Sequence, residues 1–312
     1  MIELFDAHCD TILRCYQEGV HLRENSGHID LNRTRKFGRY AQFFATFGSP
    51  EDMPDRSLWE VFQEETALFF RELEENADWV SLCRDGKEAE NAFSAGRCAA
   101  FLSAEGAELL DCDISKLRRA YEMGVRAVNL TWNHPNALSG TNAEEQDRGL
   151  SRQGREFVRE MDRLGVVVDV SHLSDPGFWD VMEISTRPVM ASHSNSRTVF
   201  FDVRNLTDEQ FTAIIEKNGV AGLNMYANFL GENSDLNTVV AHLEHFLSLG
   251  GAGNVALGGD WDGCSRLPAG LTGIQDMDRL YELLLRRNYG EDLVRGLFYS
   301  NLMRVVNEVC NM

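Results

Sequence analysis

Six imidazole and carboxylate side chains each stand at the end of a short apolar segment of the sequence. They are His8, Asp10, Glu105, His172, His193 and Asp260. Imidazole nitrogens and carboxylate oxygens, without a thiolate, are the ligands expected for zinc or a similar first-row divalent ion at a catalytic site. Without a cation, six such groups in one place would crowd charge at a large energetic cost. Two divalent cations bridged by Glu105 would relieve that crowding.

The first pair of these residues lies in the segment LFDAHCDTI, where His8 and Asp10 are two positions apart. In a strand, residues i and i+2 point to the same face, so both side chains are expected on one side, with Cys9 packed in the core behind them. Taken singly, each of the six residues has an ordinary interpretation, such as a turn histidine or a carboxylate at a helix N-terminus. It is their common placement that favours a metal site.

The elements that must position these residues alternate between short apolar, β-rich segments and amphipathic helices. The predicted strands are 2–8, 41–47, 98–106, 125–132, 166–172, 188–194, 219–225 and 254–263. Eight such units in one chain predict a closed (β/α)8 barrel of the TIM type, with a doubly wound open sheet as the alternative. A barrel requires its chemistry at the C-terminal ends of the strands, where the six residues stand. We expect one domain over residues 1–312.

Several helices are also predicted. A long helical region covers 57–82 and a shorter one 86–95, a helix ends at Gly124, and another covers 207–217 with Thr207 as its cap. The segment HLEH at 242–245 is not a metal-binding HExxH motif, and on an amphipathic helix it is expected to form a solvated face.

Composition excludes several classes of partner. The 312 residues are 43% hydrophobic and 25% charged, with a formal net charge of −19. Such a chain repels nucleic acid and anionic membranes. The segment MIELFDAHCD lacks the features of a signal peptide, and no run approaches the roughly 18 apolar residues that span a bilayer. Seven cysteines without a CxxC pair indicate reduced thiols, so a cytoplasmic protein is expected.

A set of short motifs then extends over nearly the whole chain in order. They are AHCD near the start, AEG at 104–106, GVRAVNLTWN at 124–133, DVSH at 169–172, ASHSNSR at 191–197 and GGDWDG at 258–263. Together they resemble the membrane (renal) dipeptidase family of binuclear zinc peptidases, which are amidohydrolase-like barrels. The resemblance implies hydrolysis of dipeptides, including those with a C-terminal D-residue, by a hydroxide that bridges two zinc ions. It also suggests a homodimer.

The resemblance assigns a role to each matching residue. It assigns His8 and Asp10 to one metal, Glu105 to both metals, and His172 and His193 to the second metal. Asp260 matches the acid that handles the proton. Arg204 lies eleven residues after His193, where the family carries an arginine that contacts the substrate carboxylate. The alternative for Arg204 is a surface residue before the next helix.

One position departs from the family pattern. Better-known members have LTH where this chain has LTW, so that Trp132 takes the place of a substrate-contacting histidine. His134, two residues on, is a candidate to reach the same space. Two other functions stay open at this point: a barrel metal hydrolase acting on another amide, a lactone or an ester, and a non-catalytic binding protein on a decayed barrel.

Overall fold

The computed structural model describes residues 1–51 and 53–311 and has parallel strands alternating with helices along the chain. The strands are β1 Glu3–Cys9, β2 Arg39–Phe47, β3 Val80–Leu82, β4 Cys98–Glu105, β5 Val125–Asn129, β6 Val167–Asp169, β7 Met190–Ala191, β8 Val220–Leu223 and β9 Val255–Leu257. Short apolar runs rich in β-branched and aromatic residues are typical of such buried strands.

Eight of these strands form a closed ring. Going round the ring, the order is β2, β1, β9, β8, β7, β6, β5 and β4, and pairing between β2 and β4 closes it. Every pairing is parallel, and β3 lies beside the first residues of β4. The prediction of a TIM-like (β/α)8 barrel is therefore confirmed, and the open sheet is excluded.

Helices surround the ring. They are α1 Thr11–Glu18, α2 Leu31–Thr34, α3 Leu58–Glu75, α4 Gly86–Ser94, α5 Ile114–Met123, α6 Arg152–Leu164, α7 Asp175–Ile184, α8 Asp208–Glu216, α9 Ala227–Leu230, α10 Leu236–Ser248, α11 Met277–Arg286, α12 Glu291–Arg295 and α13 Asn301–Cys310. Short 3-10 turns cover Ala107–Leu110 and Ile274–Asp276, and a π-helical turn covers Gly296–Ser300. Over 1–51 and 53–311, none of the helices combines the length and apolarity needed to cross a membrane.

Two of the helix termini predicted from the sequence agree with the structure, and one does not. Thr207 caps α8 through a capping box with Gln210, and Gly124 ends α5 at a φ of 113°, a conformation that glycine adopts without strain. The prediction of a helix over 57–82 is wrong at its end. The helix α3 stops at Glu75, and β3 follows because its residues pair with the start of β4.

The barrel interior is filled by a cluster of buried side chains to which all eight ring strands contribute. Phe5, Phe43 and Phe101 stack on one another there, with ring centroids 5.2–5.6 Å apart. Helix α13 contacts β1, β6, β8 and β9, which lie at different sides of the ring, and joins the same interior cluster. It therefore lies across the N-terminal opening of the barrel, which leaves the C-terminal opening for a site.

The aromatic stack gives a test of this interior. Phe101→Ala removes a fully buried ring that touches two others, and we expect it to lower the free energy of unfolding by about 3–5 kcal/mol. Phe201→Ala makes the same change at a side chain that is 80% exposed and should cost less than about 0.5 kcal/mol. Urea unfolding of both variants measures the difference, and equal losses would contradict this packing.

Candidate metal centre and active site

The six candidate metal-binding side chains meet at the C-terminal opening of the barrel. His8 lies in β1 and Glu105 ends β4, while His172, His193 and Asp260 follow β6, β7 and β9. The register of β1 against β2 shifts between Asp6 and Cys9. Phe5 and Ala7 face the barrel interior, so in a regular strand the next side chain, His8, would face away from it. The bulge instead turns His8 into the opening, as bulges beside functional sites often do.

Glu105 presents one oxygen to each side of the cluster. Its Oε2 lies 3.5 Å from His8 Nε2, and its Oε1 lies 3.0 Å from His172 Nε2 and 3.5 Å from His193 Nε2. His8 Nε2 also lies 3.4 Å from Asp10 Oδ2. The two oxygens of one carboxylate thus face different histidines, which is the arrangement required of a carboxylate shared by two ions.

The donor atoms fall into two overlapping groups within the described residues. Those of His8, Glu105 and His193 lie within 4.8 Å of one another, and so do those of His8, Asp10 and Asp260. His8 Nε2 and Asp10 Oδ1 are buried without a hydrogen-bond partner. Buried polar atoms are normally paired, so these orphaned atoms, together with the nitrogen and oxygen donor set, fit divalent cations.

Each of two histidines is oriented by a second partner that sequence reasoning missed. His172 Nδ1 lies 2.9 Å from Asn133 Oδ1, and His193 Nδ1 lies 2.7 Å from Ser192 Oγ. An amide oxygen only accepts, so His172 carries its proton on Nδ1 and presents a bare Nε2 to the cluster. Asn133 is the last residue of the motif GVRAVNLTWN, and Ser192 directly precedes His193. Residue spacing alone predicts neither the contact of Asn133 with His172 nor that of Ser192 with His193.

The electrostatics of the cluster suit metal binding. Burial, reinforced by the carboxylates of Asp10 and Asp260, raises the pKa of Glu105 to about 7 against the opposing effect of His8. Burial and the Arg204 guanidinium lower the pKa of His172 well below its usual value. The imidazole is therefore neutral, as a ligand must be. The raised pKa of Glu105 reflects first its burial and then the neighbouring negative charge, and a bound cation would favour the ionised carboxylate against both.

The backbone near the cluster is strained at three residues. His172, Asp260 and Asp262 have φ values of 71°, 56° and 66°, in the left-handed region that side chains other than glycine rarely adopt. Strain of this kind persists only where surrounding contacts impose it and often marks a functional site. It turns His172 and Asp260 inward after short strands.

Asp6 supports the cluster from below. This fully buried carboxylate accepts hydrogen bonds from His8 N at 3.1 Å, Gln42 Nε2 at 3.0 Å, Gly259 N at 2.8 Å and Trp261 Nε1 at 3.0 Å. One side chain thereby fixes both the bulge that carries His8 and the turn that carries Asp260. Sequence reasoning did not single out Asp6, although it lies two residues before His8.

Arg204 is buried beside the cluster and is not a surface residue. It is 8% exposed, and its Nη2 lies 3.0 Å from His172 Nε2, while its Nη1 is buried with no hydrogen-bond partner among the described residues. The segment before it is held in place by His242, whose Nδ1 accepts from Ser196 N at 3.1 Å and whose Nε2 faces Leu230 O at 3.1 Å. The prediction of a solvated face at 242–245 is therefore wrong for His242, which is fully buried because this loop packs on α10.

A cavity of about 580 Å³ opens above the cluster and is large enough for a small molecule. Trp132 and His134 both line it. Trp132 packs edge-on against Phe47, with ring centroids 4.8 Å apart. Both ring nitrogens of His134 face carboxylates, at 3.0 Å from Glu51 and 3.3 Å from Glu144. The structure thus brings both residues to the cavity, with His134 held at its rim by two loops.

Comparison with known proteins gives consistent matches. A model of the membrane dipeptidase family (peptidase family M19) matches residues 1–312. The structure of dipeptidase AC, a metallopeptidase of family M19, is 27% identical, with a TM-score of 0.90 over 100% of this chain and 99% of that chain.

Two further solved structures are similar. A metallopeptidase from Rhodobacter sphaeroides, bound to a phosphinate mimic of the dipeptide L-Ala-D-Ala, is 27% identical with a TM-score of 0.89 over 99% of both chains. The probable dipeptidase PvdM from Pseudomonas aeruginosa is 18% identical with a TM-score of 0.90 over 99% of this chain and 95% of that chain, which shows a common fold.

The contact between Asn133 and His172 gives a test of the cluster. Asn133→Ala removes the acceptor that orients the imidazole, and we expect it to weaken the binding of a divalent ion about 10–100-fold. Competition with a chelator of known affinity measures the change. Asn142→Ala, in the same loop, is the control, because that side chain makes no hydrogen bond to the six cluster residues in the described part of the chain. Equal affinities of the two variants would contradict a role of Asn133 in orienting His172.

Proposed function

Because this chain belongs to the membrane dipeptidase family, peptidase family M19, we propose that it hydrolyses dipeptides with two divalent ions, most simply zinc. We propose that its substrates include dipeptides with a D-residue at the C-terminal position. The relative that binds a phosphinate mimic of L-Ala-D-Ala supports this substrate class.

The observation that carries the proposal is the position of Arg204. A buried guanidinium with an unpartnered Nη1 lies next to a histidine of the metal cluster and lines the cavity. A planar guanidinium binds a carboxylate through two parallel hydrogen bonds. We propose that it holds the C-terminal carboxylate of the substrate, which limits the substrates to short peptides whose carboxylate lies close to the scissile bond.

In the proposed metal assignment, His8 and Asp10 hold one ion, His172 and His193 hold the other, and Glu105 contacts both. Two divalent ions held by these residues would supply a hydroxide nucleophile at neutral pH and would polarise the scissile carbonyl. The distances of the two Glu105 oxygens to histidines on either side support this division.

Asp260 is proposed to move the proton. Asn224 Nδ2 donates to its Oδ2 at 3.1 Å and fixes the carboxylate, while burial and Asp10 raise its pKa. A carboxylate with a raised pKa is suited to accept a proton from the attacking water and to deliver it to the leaving amine. Its place in the cavity lining supports this role.

Trp132 and His134 are proposed to contact the substrate from the cavity wall. Trp132 lies near His172, with ring centroids 6.3 Å apart, and so borders the reacting groups. His134 is farther out and already faces Glu51 and Glu144. We therefore propose that Trp132 borders the scissile bond and that His134 contacts the substrate at the rim.

We further propose a single domain over residues 1–312, a homodimer as the family resemblance suggests, and a cytoplasmic location. Six of the seven cysteine thiols are buried and one is half-buried, which suits a reducing compartment.

Asp260→Asn tests the proton transfer. The amide keeps the shape of the side chain but accepts no proton, so turnover of L-Ala-D-Ala should fall by at least about 10²-fold. Metal analysis of the same sample should still find about two ions per chain, because the assigned ligands are intact. Normal turnover in Asp260→Asn, with loss in Asp262→Asn, would place the proton transfer at Asp262 instead.

The carboxylate contact of Arg204 is tested with free and amidated L-Ala-D-Ala and L-Ala-L-Ala. Amidation should lower kcat/KM roughly 10–100-fold, and Arg204→Lys should lower it similarly because an ammonium lacks the planar fork. The two losses should not add, since each removes the same contact. Unchanged rates on amidated substrates would favour a broader amide, lactone or ester hydrolase.

A further inference from the structure

A second cavity lies at the other end of the barrel from the metal cluster. It has a volume of about 360 Å³ and is lined by the first residues of β2 and β4, Arg39 and Cys98. Among the described residues, its lining includes three arginines, Arg35, Arg39 and Arg97, and no carboxylate. This is unexpected in a chain with 49 acidic and 30 basic residues. It coincides with the segment RTRKFGR at 33–39, where four of seven residues are basic.

Two of the three guanidinium groups have no charged partner in the part of the chain that the structure describes. Arg39 pairs with Glu3 at 3.3 Å and Glu90 at 2.6 Å. In contrast, no carboxylate of residues 1–51 and 53–311 forms an ion pair with Arg35 or Arg97, and the hydrogen bond of the Arg97 side chain goes to Ala77 O at 3.4 Å. The cavity therefore has uncompensated positive charge.

The orientation of Arg35 prepares it to bind an anion. Its guanidinium carbon lies 3.2 Å from the centre of the Trp79 ring. Stacking on an aromatic ring covers the face of the guanidinium and leaves its N–H edge free to donate. Because the stacked group has already lost rotational freedom, less entropy is lost when a ligand binds.

Aromatic rings form part of the remaining walls of the cavity. Phe37 and Phe93 line it together with Trp79, so a ligand there would meet aromatic surface as well as charge. The volume suits one small molecule, and the net charge of −19 opposes a nucleic acid. We propose that this basic cavity binds a small organic dianion with a flat apolar part, and that Arg35 and Arg97 hold its charged groups.

Calorimetric titration of the full chain with two aromatic dianions, phenyl phosphate and isophthalate, tests the proposal. Phenyl phosphate carries its charge on a phosphate ester and isophthalate carries the same charge on two carboxylates, so the pair distinguishes the two kinds of ligand. Benzyl alcohol is the uncharged comparison and should not bind. The double variant Arg35→Gln/Arg97→Gln should bind at least about tenfold more weakly, since charge-assisted hydrogen bonds are lost. Arg152→Gln, at an arginine whose side chain is 94% exposed, should bind as the wild type does.

The variants also separate this proposal from the dipeptidase function. The double variant should hydrolyse dipeptides at the wild-type rate. If the double variant does not fold, Arg35→Lys replaces it in the binding comparison, because lysine keeps the charge but lacks the planar guanidinium edge. Binding of one probe alone assigns the site to phosphate esters or to carboxylates. Absence of saturable binding by both probes, or equal affinity in wild type and variants, would overturn the proposal.

Discussion

The enclosure of several carboxylates and imidazoles in one buried opening is the constraint on which this structure depends. Burial and the nearby carboxylate of Asp10 raise the pKa values of both Glu105 and Asp260, and these carboxylates share the space with three histidine rings. Such a cluster is stable only if every donor is held in place and the charge is balanced. The bulge in β1, the carboxylate of Asp6 and the left-handed backbone at His172 all hold these donors in place.

The barrel and the six cluster positions could be predicted from sequence because each depends on local information, namely an apolar run followed by a polar residue. His8 and Asp10 lie side by side in the structure, as the sequence predicts, but not for the predicted reason. The two-residue period assumes regular pleating, whereas the register of β1 shifts between Asp6 and Cys9. The side chains meet because the bulge turns His8 and because Asp10 already lies beyond the strand.

Features that depend on distant residues could not be predicted. Asn133 is 39 positions from His172, and no local pattern indicates their contact. His242 looked like part of a polar helix face, but a loop from elsewhere in the chain buries it. The strand β3 is three residues long and lies at the end of the region 57–82 that the sequence predicts as one helix, so only its pairing with β4 reveals it. Gly258 in the motif GGDWDG has a structural reason as well, because a side chain there would collide with Ser192 O.

The helix α13 has a consequence for how the protein is made. It covers the N-terminal opening of the barrel and contacts β1, whose residues leave the ribosome nearly a whole chain length earlier. Contacts between such distant segments form slowly, and an incomplete barrel exposes apolar surface while it waits. Until α13 has been synthesised, the N-terminal opening of the ring is uncovered, and a chain that lacks α13 exposes interior side chains that the finished barrel buries.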